Sequence, residues 1–256
     1  MAIIGKVREE LEQLSSHFSV EALCAGSIQS HIEQALLESG RGHQRRSPLQ
    51  PQLMMWTVLS LPVFRSDSVA AVLGRMLTGQ RDRIRGLPLR PVTDGAIAHA
   101  RHRLGVDPLR RFFRAQAAEV NPAASFHGLR VWSADGSKLT MPDTELNRRA
   151  FGKPSNAKGE CAFPQVAMLG LFDSEAHRFR DVTWRPCDSD ERAMLLPLLS
   201  HLGPGDLLQM DRGFYAAWLF EALRDREVDF ICRIPSTVKL KAAMGTNQKS
   251  GDYLAW

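Results

Sequence analysis

The sequence contains few cysteines, and their positions exclude two common kinds of site. Cys24, Cys161, Cys187 and Cys232 are far apart and form no Cys-x-x-Cys pair, so neither a zinc-ribbon nor a dithiol redox motif is present. Reduced thiols are typical of the cytoplasm. We therefore expect a cytoplasmic protein whose cysteines are reduced and mostly buried.

Long apolar runs are also missing. No stretch approaches the length of a membrane span, and charges such as Lys6 and Arg8 interrupt the start of the chain, where a signal peptide would be apolar. The triplet Gly136-Ser137-Lys138 lacks the preceding glycine of a phosphate-binding loop. We expect a globular protein with no membrane partner.

Lysine is absent from residues 41–119. This segment has fourteen arginines and five acidic residues, a net charge of +9, whereas the whole chain carries +5 and the remainder therefore −4. A basic segment beside a mildly acidic remainder indicates an anionic polymer as partner, with nucleic acid first. A solvated basic surface is the alternative, and composition alone hardly separates the two.

The first half of the chain predicts a helical domain at residues 1–120. Ser66 and Thr93 are placed as N-caps, and Pro108 stands in the first turn of the last helix. A linker at 121–128 follows. Apolar residues at helical spacing predict helices at 7–18, 20–38, 52–61, 67–77, 94–104 and 107–118.

From residue 129 the pattern changes to strands. Three neighbouring strands followed by strand–helix–strand units predict a mixed sheet flanked by helices, so the fold class is α+β with a second domain at 129–256. Trp132 and Trp184 lie on predicted strands and are assigned to the core. The predicted strands are 129–134, 165–172, 179–185, 206–210 and 228–234, and the predicted helices are 188–201 and 215–226.

Two aspartates interrupt apolar runs, each with a glycine nearby. Asp135 follows a run at 129–134, and Asp211 follows a run at 207–210. If the first and fourth strands are neighbours, the two would end side by side although 76 positions separate them. Such a carboxylate pair suits Mg²⁺ or Mn²⁺ ions. Asp211 taken alone is also typical of a turn residue that caps the next helix.

Several segments resemble one family. They are 131–152 (VWSADGSKLTMPDTELNRRAFG), 162–199 (AFPQVAMLGLFDSEAHRFRDVTWRPCDSDERAMLLPLL), 205–237 (GDLLQMDRGFYAAWLFEALRDREVDFICRIPST) and, upstream, 45–73 and 91–113. Together they resemble the DDE transposases of bacterial insertion sequences, in the insertion-element-four group, over nearly the whole chain.

The resemblance implies a ribonuclease-H-like fold and a cut-and-paste enzyme that cleaves at the ends of a mobile element and joins the freed 3′-hydroxyls to target DNA. By motif, Asp135 is the first catalytic aspartate, contacting both metal ions, and Asp211 is the second, holding one. The cofactor is then Mg²⁺ or Mn²⁺. The implied partner is double-stranded DNA, as element ends and as target. Whether the protein binds DNA as a homodimer is left open. The implied location is the nucleoid.

One departure from the family concerns the third carboxylate. The family places a glutamate on a late helix, in a Tyr-Arg-Glu-Lys signature beyond a β-rich insertion, whereas only 45 residues follow Asp211 here and none carries that signature. Glu221, Asp225 and Glu227 lie on the predicted crossover helix. We expect no third catalytic carboxylate in this chain, and a sheet domain that is incomplete at its C-terminus, stopping inside the insertion after the fifth strand. A fragment, a frameshifted copy and the first of two reading frames would each fit.

Arginines supply most candidate DNA contacts. Residues 143–153 have two interpretations, a solvated polar loop or a loop over DNA phosphates. Arg212 either pairs with a carboxylate or touches phosphate. The candidate contacts are Arg45, Arg46, Arg81, Arg83, Arg85, Arg101, Arg103, Arg110, Arg111, Arg148, Arg149 and Lys153.

The function that these features indicate is a DNA transposase with impaired catalysis, because one carboxylate is missing. Two alternatives remain at this stage. One is a non-catalytic DNA-binding fragment that inhibits an intact transposase, and the other is a metal-dependent nuclease unrelated to transposition.

Overall fold

A computed structural model describes residues 28–42, 49–79, 92–156 and 159–235. The chain divides into two compact units, Met1–Glu119 and Val120–Trp256, and each has a hydrophobic core of its own. The predicted helix at 7–18, the start of the one at 20–38 and all residues after 235 lie outside the described residues.

Helices make up the described part of the first unit. They are α1 (Ile28–Glu38), α2 (Pro51–Ser60), α3 (Val69–Gly79), α4 (Asp94–Leu104) and α5 (Asp107–Ala118). The predictions at 94–104 and 107–118 are confirmed at both ends. Proline stands in the first turn of α2 and of α5, where its missing N–H breaks no helical hydrogen bond.

The helix caps agree with one prediction and correct the other. Thr93 caps α4, and its Oγ1 accepts a hydrogen bond from the backbone N of Ala96 at 3.3 Å. Ser66 does not cap α3. The cap is Ser68, whose Oγ accepts from the backbone N of Ala71 at 3.2 Å. Helix α3 starts late because the preceding residues form turns, in which the N–H of Asp67 donates to the carbonyl of Phe64.

The core of the first unit forms where the apolar faces of these helices meet. Trp56 on α2 is buried, and its Nε1 donates to Oε1 of Gln29 on α1 at 3.2 Å, which satisfies the polar end of the ring. The residues buried around it include Ile32, Leu36, Leu53, Met54, Met55, Leu73, Met76, Ile97 and Leu104.

The second unit contains a five-stranded mixed sheet in the order β5-β4-β1-β6-β7. Strand β1 pairs antiparallel with β4 and parallel with β6, β4 pairs antiparallel with β5, and β6 pairs parallel with β7. This mixed sheet agrees with the fold class that the sequence predicts. The strands are β1 (Arg130–Thr140), β2 (Ser155–Asn156), β3 (Gly159–Glu160), β4 (Gln165–Asp173), β5 (Phe179–Pro186), β6 (Asp206–Met210) and β7 (Asp229–Cys232), with β2 and β3 forming a small separate sheet.

Short helices connect these strands. They are α6 (Glu145–Phe151), α7 (Glu191–Leu195), a 3₁₀ helix (Leu196–His201), a second 3₁₀ helix (Arg212–Phe214) and α8 (Ala217–Arg224). The single helix predicted at 188–201 is wrong in its second half, because Pro197 lacks the N–H that an α-helix needs there. No helix in the described ranges of either unit is long and apolar enough to cross a membrane.

One face of the large sheet carries the core of the second unit. Alternate residues of the central strands point to this face, among them Trp132, Leu169 and Leu208. Helices α7 and α8 and the 3₁₀ helix after α7 cover them. The covering residues include Met194, Leu195, Leu198, Leu199, Leu219 and Leu223.

Strand β1 is longer than predicted. It continues through Asp135 to Thr140, because β4 pairs with it along its whole second half, from Gly136 opposite Leu169 to Thr140 opposite Gln165. Residues 135–140 are mostly polar, so the sequence pattern does not predict a strand there. The strand forms because β4, which lies elsewhere in the chain, supplies its hydrogen-bond partners.

Two further predictions in this unit are corrected. Residues 143–153 are not a loop, because Thr144 caps α6 by accepting a hydrogen bond from the backbone N of Asn147 at 3.2 Å. Trp132 is buried as predicted, whereas Trp184 is 48 % exposed. Trp184 lies on β5, which ends the sheet at one side, and its side chain is not among the residues of the core.

Candidate active site

The two aspartates occupy equivalent positions on neighbouring parallel strands. The last paired residues of β1 and β6 are Ser133 and Gln209, and Asp135 and Asp211 each follow two residues later. Adjacent strands lie about 4.8 Å apart. Asp135 stands within β1, opposite Gly170 of β4, whereas Asp211 directly follows the end of β6. Both residues are exposed.

Backbone amides orient both carboxylates. Oδ1 of Asp135 accepts a hydrogen bond from its neighbour Gly136 N at 2.9 Å. Oδ1 of Asp211 accepts from Gly213 N at 2.8 Å and so caps the 3₁₀ helix Arg212–Phe214. The capping role considered for Asp211 is therefore present. Neither carboxylate has an ion-pair partner in the described part of the chain, so each keeps its other oxygen for a ligand.

The donor set suits a divalent cation. Mg²⁺ binds oxygen and keeps several waters, so one or two carboxylates together with substrate phosphates form its usual site. Over the described ranges no group of three or more His, Cys, Asp or Glu side chains could hold a metal ion. Asp135 and Asp211 offer two carboxylates at matching strand positions, oxygen ligands of the kind that Mg²⁺ and Mn²⁺ prefer, and a cation site formed by the two stays a prediction.

A cysteine that the sequence did not single out lies beside Asp211. Sγ of Cys232, on β7, donates to the backbone O of Asp211 at 3.4 Å. Burial and, after it, the negative charge of Asp211 together raise the pKa of the Cys232 thiol to about 11. Cys161 and Cys232 are half-buried and Cys187 is buried, and all three are free thiols. Cys24 lies outside the described residues.

Three candidate DNA contacts lie on α6 or just after it, and each pairs with an acidic side chain. The guanidinium of Arg148 donates to both carboxylate oxygens of Asp143, at 2.6 and 2.8 Å, and this contact holds the pKa of Asp143 below its usual value. Lys153 lies 3.5 Å from Asp143, and Arg149 lies 2.8 Å from Glu145. Arg148 and Arg149 are exposed, whereas Lys153 is half-buried. Exposed ion pairs are weak, so a phosphate can replace the carboxylate partner of either arginine.

The basic candidates of the helical unit are only partly described. Arg101, Arg103 and Arg110 are exposed. Arg111 is held by Asp107 at 2.9 Å and by Glu38 at 3.3 Å. The remaining five candidates lie outside the described residues: Arg45, Arg46, Arg81, Arg83 and Arg85.

The residues after Asp211 add little to the site. Arg212 is exposed, and within residues 159–235 and the other described ranges it has no ion pair. Glu221, Asp225 and Glu227 are exposed on or just after α8. The absence of a third carboxylate beyond residue 235 stays a prediction from the sequence.

Comparison with known families covers both units. Residues 10–114 match the insertion element 4 transposase N-terminal family, and residues 127–254 match the transposase DDE domain family. Among curated proteins, the chain is 27 % identical over 197 residues to the transposase InsG for insertion sequence element IS4 of Escherichia coli (strain K12). The match covers 75 % of this chain and 43 % of that protein, so the chain spans less than half the length of its relative.

Two solved structures are similar at low identity. One is the piggyBac transposase synaptic complex with hairpin DNA, with 11 % identity and a TM-score of 0.34 over 84 % of this chain and 43 % of that chain. The other is the simian T-cell lymphotropic virus intasome in complex with PP2A regulatory subunit B56 gamma, with 13 % identity and a TM-score of 0.29 over 58 % of this chain and 46 % of that chain.

Proposed function

This chain belongs to the DDE transposases, in the insertion element 4 group, and from that premise we propose that it acts on DNA as a transposase. The proposed chemistry is metal-dependent hydrolysis of a phosphodiester bond followed by transesterification. In the first step a water oxygen replaces a DNA oxygen on phosphorus and frees a 3′-hydroxyl. In the second, that hydroxyl attacks a target phosphodiester, so one P–O bond forms as another breaks and no covalent enzyme–DNA intermediate arises.

The observation that supports the proposal most is the pairing of β1 with β6. The last residue pair of these strands lies two positions before Asp135 on β1 and two positions before Asp211 in the β6 segment. Because 76 positions separate the two aspartates, only this parallel pairing gives them equivalent positions. Asp206, which begins β6, is buried and bonded inside the protein, whereas Asp135 and Asp211 are exposed. This contrast favours a ligand-binding role for the latter two.

In the proposed mechanism Asp135 and Asp211 hold the cation, Mg²⁺ or Mn²⁺. When bound, such ions activate the attacking oxygen and stabilise charge on the leaving oxygen. The chain itself contributes two oriented carboxylates, because the amides of Gly136 and Gly213 fix one oxygen of each. These amides hold the carboxylates in place without adding a positive side chain that would compete with the cation.

Double-stranded DNA is the proposed partner, both as element ends and as target. The nucleoid is the proposed location. The arginine-rich segment 41–119 would bind phosphates, and Arg148, Arg149 and Lys153 would exchange their carboxylate partners for phosphates near the site. A homodimer on DNA belongs to the same proposal.

A second candidate function is DNA binding without catalysis, so that the chain occupies element ends and inhibits an intact transposase. It is favoured by one observation, that no three acidic or metal-binding side chains in the described residues could hold a metal ion together. Under this alternative the chain binds DNA, and Asp135 and Asp211 are dispensable.

The test compares the chain with its Asp135→Ala and Asp211→Ala variants. Mn²⁺ binding is measured by electron paramagnetic resonance, and nicking of element-end DNA is measured with Mn²⁺ present. We expect weak Mn²⁺ binding and slow nicking by the unaltered chain, with little joining to target, and loss of binding and nicking in both variants while DNA affinity is kept. Equal Mn²⁺ binding by all three proteins would contradict the proposal and favour the second function.

A further inference from the structure

A third carboxylate, that of Glu191, lies against β1 on the core side of the sheet, one residue past Asp135. A Cβ atom built on Gly136 would stand 2.6 Å from Oε1 and 2.9 Å from Cδ of Glu191. The carboxylate of Glu191 therefore rests directly on the backbone of the residue that follows Asp135. Only glycine leaves room for it, because real Cβ atoms do not approach other atoms so closely.

Glu191 has no partner of its own in the described part of the chain. It is half-buried, and its side chain takes part in no hydrogen bond or ion pair among the described residues. Its helical neighbour Arg192 is already bound, with Nε 2.9 Å from Oδ1 of Asp190. A half-buried carboxylate without a donor or a cation loses solvation and gains nothing in return.

The position of Glu191 is set by the core. It is the first residue of α7, and Met194 and Leu195 of the same helix are buried under the sheet. Asp190 caps the helix by accepting from the backbone N of Arg192 at 3.0 Å, which fixes where α7 begins. The helix therefore holds Glu191 over β1. A purely local role, as an acidic residue in the first turn of α7, does not explain why residue 136 is a glycine whose missing Cβ leaves room for the Glu191 carboxylate.

We propose that Glu191 is a positioning residue of the cation site formed by Asp135 and Asp211, and this rests on the proposed function. In the described ranges, no group of three His, Cys, Asp or Glu side chains could hold a metal ion. Glu191 therefore acts through the waters that Mg²⁺ keeps, and not as a direct ligand. Its negative charge adds to the attraction for the cation, and the cation in turn provides the partner that Glu191 lacks.

Gly136 offers an independent way to move this carboxylate. Gly136 is not among the glycines with positive φ, so its backbone conformation suits alanine. Its new Cβ would meet only the end of the flexible Glu191 side chain. Gly136→Ala therefore displaces Glu191 without removing its charge from the protein.

The test is Mn²⁺ titration of the full chain, followed by electron paramagnetic resonance without DNA. We expect Glu191→Gln to weaken Mn²⁺ affinity by about tenfold, a typical effect of an outer-shell partner. Gly136→Ala should weaken it in the same direction, and the double variant should lose no more than the larger single loss, because both changes remove one interaction. Asp188→Asn is the matched control, since it removes a nearby exposed charge and should leave the affinity unchanged.

Asp135→Asn separates this inference from the proposed function. If Asp135→Asn abolishes Mn²⁺ binding while Glu191→Gln and Gly136→Ala leave it unchanged, the role of Glu191 is overturned and the proposed function stands. An equal loss in Asp188→Asn and Glu191→Gln would also overturn the inference, because it would assign the effect to overall charge. If Asp135→Asn leaves binding unchanged, the proposed function itself fails. Circular dichroism melting of each variant identifies any loss caused by unfolding.

Discussion

Aspartates at the two ends of β6 have opposite environments. Asp206 is 2 % exposed. Its Oδ1 accepts from Nε1 of Trp132 and pairs with Nε of Arg130, both at 2.8 Å, and its Oδ2 accepts from the backbone N of Gly203 at 2.8 Å. Asp211, at the other end, is exposed and accepts one backbone hydrogen bond. Asp206 thus fixes the register of β1 and β6, and Asp211 remains open to a ligand.

The first prediction follows from this difference. Asp206→Ala leaves the indole N–H of Trp132 and the amide of Gly203 without acceptors, so we expect the free energy of unfolding to fall by about 3 kcal/mol. Urea denaturation measures the change. Asp188→Ala removes an exposed carboxylate and should change stability by less than about 0.5 kcal/mol. Similar losses in the two variants would contradict the structural role of Asp206.

The second prediction concerns the thiol of Cys232. Its raised pKa, about 11, means that the thiol stays protonated until the pH approaches that value. At pH 8.5 we expect alkylation by iodoacetamide to be roughly a hundredfold slower than for an ordinary thiol. Asp211→Asn removes a neighbouring negative charge and should speed the reaction severalfold, while Asn keeps the helix cap.

Mass spectrometry of the alkylated peptides separates Cys232 from the other cysteines. Cys161, which is half-buried, is the internal control, and its rate should be the same in both proteins. A Cys232 rate that does not respond to Asp211→Asn would show that the two groups are not electrostatically coupled.

At the scale of elements, caps and partner strands decide where each element begins and ends. Helix α4 begins at a residue that its own sequence specifies, because Thr93 supplies the cap. Strand β1 ends where β4 stops pairing with it, at Thr140 opposite Gln165. The first residue of a helix can therefore be predicted from its own sequence, whereas the end of a strand depends on a partner that lies elsewhere in the chain.

The third prediction tests the cap of α4. Thr93→Ala removes the acceptor for the backbone N of Ala96, so we expect the free energy of unfolding to fall by about 1 kcal/mol. Thr93→Ser keeps a hydroxyl and should remain within a few tenths of a kcal/mol of the original, a difference that urea denaturation resolves. Equal losses in both variants would mean that the methyl group of Thr93, rather than its hydroxyl, stabilises the helix.

At the scale of the whole molecule, charge and chemistry lie in different parts of the chain. Residues 41–119 carry a net charge of +9, whereas Asp135 and Asp211 both belong to the second unit. DNA affinity and cation affinity should therefore respond to different substitutions, since the first depends on arginines and the second on carboxylates.

The fourth prediction is the salt dependence of DNA binding. If six or more arginines contact phosphates, affinity should fall on the order of a thousandfold between 50 and 200 mM salt, because each contact releases a condensed counterion. Fluorescence anisotropy with labelled duplex DNA measures this slope. Replacing Arg101 and Arg110 by Gln should make the slope shallower by about two contacts, whereas Asp135→Ala should leave it unchanged. A flat salt profile would exclude the basic segment as the DNA-binding surface.

Several sequence predictions succeeded because they depend on neighbours in the chain. The helices at 94–104 and 107–118 were predicted at both ends, with Thr93 as the cap of the first and Pro108 in the first turn of the second, and the strand at 206–210 was predicted from one short apolar run. Predictions failed where distant residues intervene. Trp184 lies on β5, the strand at one side of the sheet, and its side chain is exposed. Residues 135–140 are a strand because β4 pairs with them.

The sequence by itself determined the helical and strand segments, the basic character of 41–119 and the two aspartates as candidates, because each depends on residues that are close together along the chain. Only the tertiary structure decided that Asp135 and Asp211 hold matching positions on paired strands, that Asp206 is buried at the opposite end of β6, and that Glu191 rests on Gly136. These contacts join residues up to 76 positions apart, and strand pairing and core packing bring them together.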